Sequence, residues 1–187
     1  MIVLCLTGMP GSGKSSLASM LHRNGFASIE MGQIVRNMMK EKGITIDNHT
    51  LRNFALQLRE QHGSMAVAKL TVSEIHRRKG DIAVVGIRSR KELDYFKKHL
   101  KGTMYVIAIT APPRVRYRRM VQRGRSDDFD SYKDFLWREK KEFRYGVRGA
   151  MADADFIISN AGERRTLVKN AKELAGLIRK VSSNAER

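Results

Sequence analysis

Gly8-Met9-Pro10-Gly11-Ser12-Gly13-Lys14-Ser15 is a complete G-x-x-x-x-G-K-[ST] stretch, and its setting decides the fold. Ile2-Val3-Leu4-Cys5-Leu6 precedes it, an apolar run suited to a buried strand. Ser16-Leu17-Ala18-Ser19-Met20-Leu21 follows and suits a helix. Glycines at 8, 11 and 13 let the backbone curl so that successive N–H groups point inward and cradle a phosphate. The helix that follows adds the positive end of its dipole. Lys14 has the reach for β- and γ-phosphates, and the Ser15 hydroxyl is the expected Mg²⁺ ligand. Gly8, Met9, Pro10, Gly11, Ser12, Gly13, Lys14, Ser15 and Ser16 form the expected nucleotide-binding set. The ligand this implies is a nucleoside triphosphate.

Working outward, four further segments read as strands: Phe26–Ile29, Ile82–Val85, Tyr105–Ile109 and Phe156–Ile158. Their apolar residues run continuously, which indicates strands covered on both faces. Helical spacing lies between them, at Leu51, Phe54, Ala55 and Leu58, at Met65, Ala68, Val72 and Ile75, and at Leu93 and Phe96. Tyr117, Met120, Val121 and Gly124 suggest one apolar helix face, and Leu167, Ala171, Leu174 and Ile178 another. Strands alternating with helices predict one α/β domain on a parallel sheet with right-handed crossovers. Two regions are more polar than a plain βα unit needs. Residues 31–64 are expected to form an acceptor-binding insertion and residues 124–149 a lid.

The 187 residues suffice for one core. No apolar run nears the length of a membrane span, and the chain opens directly on its first strand, so a cytoplasmic location is expected. The single cysteine, Cys5, reads as a small buried hydrophobe, and the five histidines show no ligand spacing. A net charge of +17 favours anionic partners: nucleotides, coenzyme A derivatives or nucleic acid. Stacking aromatics are sparse near the basic stretch, which leaves specific RNA recognition without support.

That stretch, residues 114–125, carries six arginines. Arg116, Arg119 and Arg123 share one helix face by spacing, and Arg119, Arg123 and Arg125 are candidates for contact with phosphates. Arg36 and Arg88 each follow a strand, where the ligand crevice of an open α/β sheet lies. Arg59 lies on a helix expected to face that crevice, and Arg144 and Arg148 are spaced to converge from one helix. A ring of arginines around a phosphate loop implies two phosphate-bearing ligands.

The chain resembles an archaeal family of P-loop kinase-like proteins related to adenylate kinase, other nucleoside monophosphate kinases and dephospho-CoA kinase. The resemblance rests on GMPGSGKSS at 8–16, MGQIVR at 31–36, GIRS at 86–89, RYRRMVQRGRSDD at 116–128 and ADFIISNAG at 154–162. It implies a five-stranded parallel sheet of order 2-3-1-4-5, with an acceptor arm and a lid. It implies that Arg36 and Arg88 hold the acceptor phosphate, that Arg119 and Arg123 are catalytic lid arginines clasping the donor, and that Asn160 lies in the loop beside the donor base. ATP and Mg²⁺ are the implied cofactors, and a small phosphorylated acceptor the implied partner. The chain departs from the pattern at Gln33 and Val85, where such kinases commonly carry acids that serve the metal, its water shell or the attacking group. Glu30 and Asp127 are candidates to compensate. Phosphoryl transfer from ATP to a nucleoside monophosphate or a dephospho-CoA-type acceptor is the leading expectation. An ATP-binding switch with little turnover is the alternative, and an RNA-associated NTPase a third.

Overall fold

In the computed structural model, residues 1–124 and 131–185 are described. Arg125 and Asp127, both named above, lie outside them. The chain begins with β1 (Ile2–Thr7), which becomes the central strand of the sheet. Its alternate side chains go to opposite faces, Val3 and Cys5 into one apolar cluster and Leu4 and Leu6 into the other. Burial on both faces is why the strand reads as an unbroken apolar run. It pairs in parallel with β3 (Asp81–Ile87) on one side and β4 (Thr103–Thr110) on the other. The edges are β2 (Phe26–Glu30), beside β3, and β5 (Phe156–Ser159), beside β4. The order is therefore β2-β3-β1-β4-β5 with every pairing parallel, as the resemblance implied. Two aspartates complete the ladder where neighbouring strands begin. Asp81 accepts from the Ile2 N–H at 2.7 Å, and Asp155 accepts from the Val106 N–H at 2.7 Å.

Helices cover both faces. On one side lie α1 (Lys14–His22) and the long α9 (Arg164–Ala185), packed through Leu17, Leu21, Leu167, Ala171, Leu174 and Ile178. On the other lie α2 (Met31–Glu41), α3 (Asn48–His62), α4 (Ala66–His76) and α5 (Arg90–His99), packed through Val35, Phe54, Ala68, Val72, Leu93 and Phe96. Asp47 caps α3 through the Thr50 N–H at 2.8 Å, and the Thr50 hydroxyl returns a bond from the Asp47 N–H at 2.9 Å. Cys5 is fully buried; burial, and next the charge of Asp155, push its thiol up to about 12, so it packs as an inert apolar group. No described helix is long and apolar enough to cross a membrane.

Three helices follow β4: α6 (Pro113–Arg123), α7 (Tyr132–Tyr145) and α8 (Val147–Ala152). They correct two expectations. Val121 is exposed, and α6 is anchored instead by Met120 and by Arg116, which is only 4% exposed. Arg144 and Arg148 do not share a helix. Gly146, at φ 95°, ends α7 in the left-handed region, and Arg148 stacks on the Phe143 ring at 4.0 Å. The region 31–64 is built from α2 and α3, and the described part of 124–149 is mainly α7.

Candidate functional site

The loop after β1 carries glycines 8, 11 and 13 at φ 141°, 75° and 102°. Gly13 is the N-cap of α1 and offers no side-chain acceptor, so the first N–H groups of that helix remain available to an anion. Met9 is buried, as is Ser12, whose hydroxyl oxygen has no hydrogen-bond partner among the described residues. Lys14 donates to the Gly8 carbonyl at 2.7 Å and to the Met9 carbonyl at 3.0 Å. An ammonium has three N–H donors, so one remains for a phosphate oxygen. Enclosure of that ammonium pulls its pKa down to about 8. The charge of Glu142 acts against the shift, and Arg88, Arg138 and Arg116 add to it. Open helix donors, an unpaired buried hydroxyl and a lysine with one donor to spare fit a polyphosphate.

The loop's shape is imposed from outside it. Asn160, directly after β5, donates from its side-chain amide to the Ser12 carbonyl at 2.8 Å. Its own backbone N–H reaches Thr110 at 2.7 Å, and its carbonyl accepts from Arg119 at 2.8 Å. Asn160 thus braces the loop from beneath as well as lining the cleft. Arg116 supplies a second brace. It donates to the Ala111 carbonyl at 2.8 Å and to the Pro10 carbonyl at 3.3 Å, lies over the Phe135 ring, and forms an ion pair with Glu139 of α7. Helical spacing placed Arg116 with Arg119 and Arg123; the fold turns it inward, away from the cleft those two line.

Above the loop opens a cleft of about 790 Å³. Of the residues singled out by sequence, Gly8, Pro10, Gly11, Gly13, Lys14, Ser15, Ser16, Arg36, Arg88, Arg119, Arg123 and Asn160 line it. Arg59 does not, but lines an adjoining cavity of about 120 Å³ between α2, α3 and α7, together with Arg36 and Arg88. Met31, Val35, Leu51 and Val67 give that cavity an apolar wall. Glu92, buried beside it, takes a hydrogen bond from the Arg88 N–H at 2.7 Å. Burial holds the Glu92 carboxyl above its usual range, and the Arg88 hydrogen bond and the charges of Arg88 and Arg59 oppose that shift. The two positions where acids were expected remain neutral. Val85 lines the large cleft, whereas Gln33 is exposed and bonds Asn37 at 2.8 Å. Glu30 lines the cleft.

Sequence reasoning missed Glu142. This residue is 5% exposed and lies on α7 among cations, 3.6 Å from Arg88 and 4.0 Å from Arg138. Its only sequence signal was its spacing three residues after Glu139, the other buried acid of α7.

Comparison with known proteins agrees with this architecture. A family model described as an AAA domain matches residues 4–142. A shikimate kinase from Acinetobacter baumannii, solved with shikimate, is similar at TM-score 0.61 and 13% identity, covering 96% of this chain and 93% of that one. A dephospho-CoA kinase from Campylobacter jejuni is similar at TM-score 0.59 and 16% identity, covering 99% and 100%. At such identities these likenesses show the fold alone, that of a P-loop kinase-like domain. A UPF0200 protein of Pyrococcus horikoshii is 35% identical over 187 aligned residues, covering 98% of this chain and 99% of its own length. The chain belongs to the UPF0200 family.

Proposed function

We infer that the protein is an ATP-dependent phosphotransferase acting on a small phosphate-bearing acceptor. The observation that carries this reading is the pair of joined cavities: one floored by the phosphate loop, the other lined by Arg36, Arg59 and Arg88. A donor triphosphate lies along the loop, with the N–H groups at the start of α1 and the Lys14 ammonium on its phosphates. Ser15 would hold Mg²⁺, whose charge would offset that of the phosphate oxygens, and Glu30 on the same cleft would order its water shell. Arg119 and Arg123, from α6, line the same cleft and clasp the donor phosphates. Residues 31–64 act as the acceptor arm and α7 as part of a lid that excludes water. Neutral Val85 and outward-facing Gln33 favour one second reading, an ATP-binding switch with little turnover.

ADP formation from MgATP, measured across nucleoside monophosphates and dephospho-CoA, separates the two. Acceptor-dependent ADP supports the phosphotransferase; tight MgATP binding without ADP supports the switch. Arg88→Ala is expected to raise the KM for the acceptor about 10- to 100-fold, with a much smaller change in the KM for ATP. Equal changes in both would remove Arg88 from the acceptor side.

The depressed Lys14 pKa sets a pH dependence. The triphosphate binds the ammonium form, so below about 8 no proton need be taken up at Lys14. Above it a proton must be taken up on binding, and MgATP affinity falls by up to about tenfold per pH unit. Calorimetric titrations from pH 7.5 to 9.5 in buffers of different ionisation enthalpy read both the affinity and the proton uptake. A flat profile without uptake refutes the assignment.

A further inference from the structure

Glu142 is placed where the two cavities meet. It lines both the cleft above the phosphate loop and the smaller cavity between α2, α3 and α7. Residues shared by the two cavities mark the place where a group can pass between them. Gly32, Arg36, Gly86, Arg88 and Arg138 are the other shared residues, so among the described residues Glu142 is the only carboxylate lining both. Glu30 lines the larger cleft alone and Glu92 the smaller one alone. At 3.6 and 4.0 Å, the separations from Arg88 and Arg138 are those of ion pairs and exceed hydrogen-bond length. These contacts hold the carboxylate at the junction of the two cavities.

On the phosphotransferase reading, we propose that Glu142 is the general base of the transfer and that the group it deprotonates is an alcohol. A phosphate oxygen is anionic at neutral pH. It brings no proton to remove, and a buried carboxylate at the transfer point repels it. An alcohol requires proton removal as it attacks. The hydroxyl proton passes to a Glu142 carboxylate oxygen, and the alcohol oxygen forms the new bond to the γ-phosphorus. The bond from that phosphorus to the β–γ bridging oxygen breaks, and its electron pair leaves with ADP. The products are a phosphate monoester, ADP and a proton, which Glu142 then releases to solvent. Arg36, Arg59 and Arg88 on the same cavity require the alcohol to carry an anionic group. The acceptor class is an anionic alcohol, and a nucleoside monophosphate attacking through its phosphate is excluded.

The charged groups lining the two cavities with Glu142 include Lys14 from α1, Glu30 at the end of β2, Arg36 from α2, Arg52 and Arg59 from α3, Glu92 from α5 and Arg88 after β3. Arg138 and Lys141 accompany it on α7. Any acid limb in the rate therefore has to be assigned by substitution. The test uses γ-labelled MgATP with the full chain and compares wild type, Glu142→Gln, Glu139→Gln and Lys14→Ala. Acceptors are water alone, nucleoside monophosphates, and anionic alcohols such as glycerol 3-phosphate, ribose 5-phosphate and dephospho-CoA. The expected result is label on an alcohol oxygen and a kcat lowered about 10²- to 10⁴-fold in Glu142→Gln, with the KM for ATP nearly unchanged. The wild-type rate falls toward acid pH, and Glu142→Gln loses that limb. Glu139→Gln, which removes a buried acid lining neither cavity, keeps the limb. Label recovered as a nucleoside diphosphate, wild-type kcat in Glu142→Gln, or equal loss of the limb in Glu139→Gln each overturns the proposal and leaves the kinase reading standing. Absence of Lys14-dependent ADP with every acceptor, water included, overturns the kinase reading and this role with it.

Discussion

Lys14→Ala is expected to lower phosphoryl transfer about 10³-fold, the upper range for removing one preorganised donor to a developing charge. The expectation follows from how the side chain is held. Two of its three N–H donors are engaged by the Gly8 and Met9 carbonyls, which fix the ammonium against the loop before any ligand arrives. The third is therefore aimed without reorganisation. Alanine removes the charge and leaves the two carbonyls without this donor. Lys14→Arg is expected to recover little, because a planar guanidinium cannot occupy the compact position of an ammonium between those carbonyls. ADP formation with the best acceptor, set beside the MgATP dissociation constant, is the measurement. Wild-type turnover in Lys14→Ala would end the phosphotransferase assignment.

Gly13→Ala carries the second largest effect, and it acts on the loop's shape. The residue sits at φ 102°, where a side chain is strained, and a methyl there collides with the Asn160 side-chain amide. Asn160 has little freedom to retreat. Its backbone N–H is bonded to Thr110, its carbonyl to Arg119, and its amide to Ser12. Strain of about 1–3 kcal/mol and a buried hydrogen bond worth about 1–3 kcal/mol when one partner is left unsatisfied together give a destabilisation of about 2–6 kcal/mol. The larger consequence is for binding: a displaced Ser12 carbonyl rotates the neighbouring N–H groups out of the cradle, and MgATP affinity falls at least about 100-fold. Urea unfolding and calorimetry read the two effects. Gly162→Ala, where the added methyl has no described atom within 4 Å beyond its chain neighbours, is the matched control and is expected to be neutral in stability.

What the sequence disclosed and what it withheld divide along the range of the interactions. The phosphate loop, its strand and its helix were legible because the motif and both flanking patterns occupy one short stretch. The strand order followed from resemblance, and all five strands stand within a few residues of where their apolar runs placed them. Arg116 was misread because spacing along a helix says which residues share a face, but not which way that face turns once the helix is packed. Its orientation is set by Pro10 and Glu139, distant in sequence, and by the Phe135 ring. Glu142 was invisible for the same reason, since its value lies in the junction of two cavities walled by different helices. The break at Gly146 was readable: a glycine following a basic last turn is a stop signal, and it forbade the convergence of Arg144 and Arg148.

Trp137 is the chain's only tryptophan, and it lines the smaller cavity. The Arg52 guanidinium of α3 lies 5.1 Å from its ring centroid, and the Lys141 ammonium 5.2 Å. Nearly all the intrinsic long-wavelength emission of the protein therefore originates at the gap between α3 and α7. The molecule carries its own optical gauge of that gap. A compound that seats there, or a motion that parts Arg52 from the indole, registers as a change in fluorescence without a label, an engineered probe or a prior guess at the compound's identity.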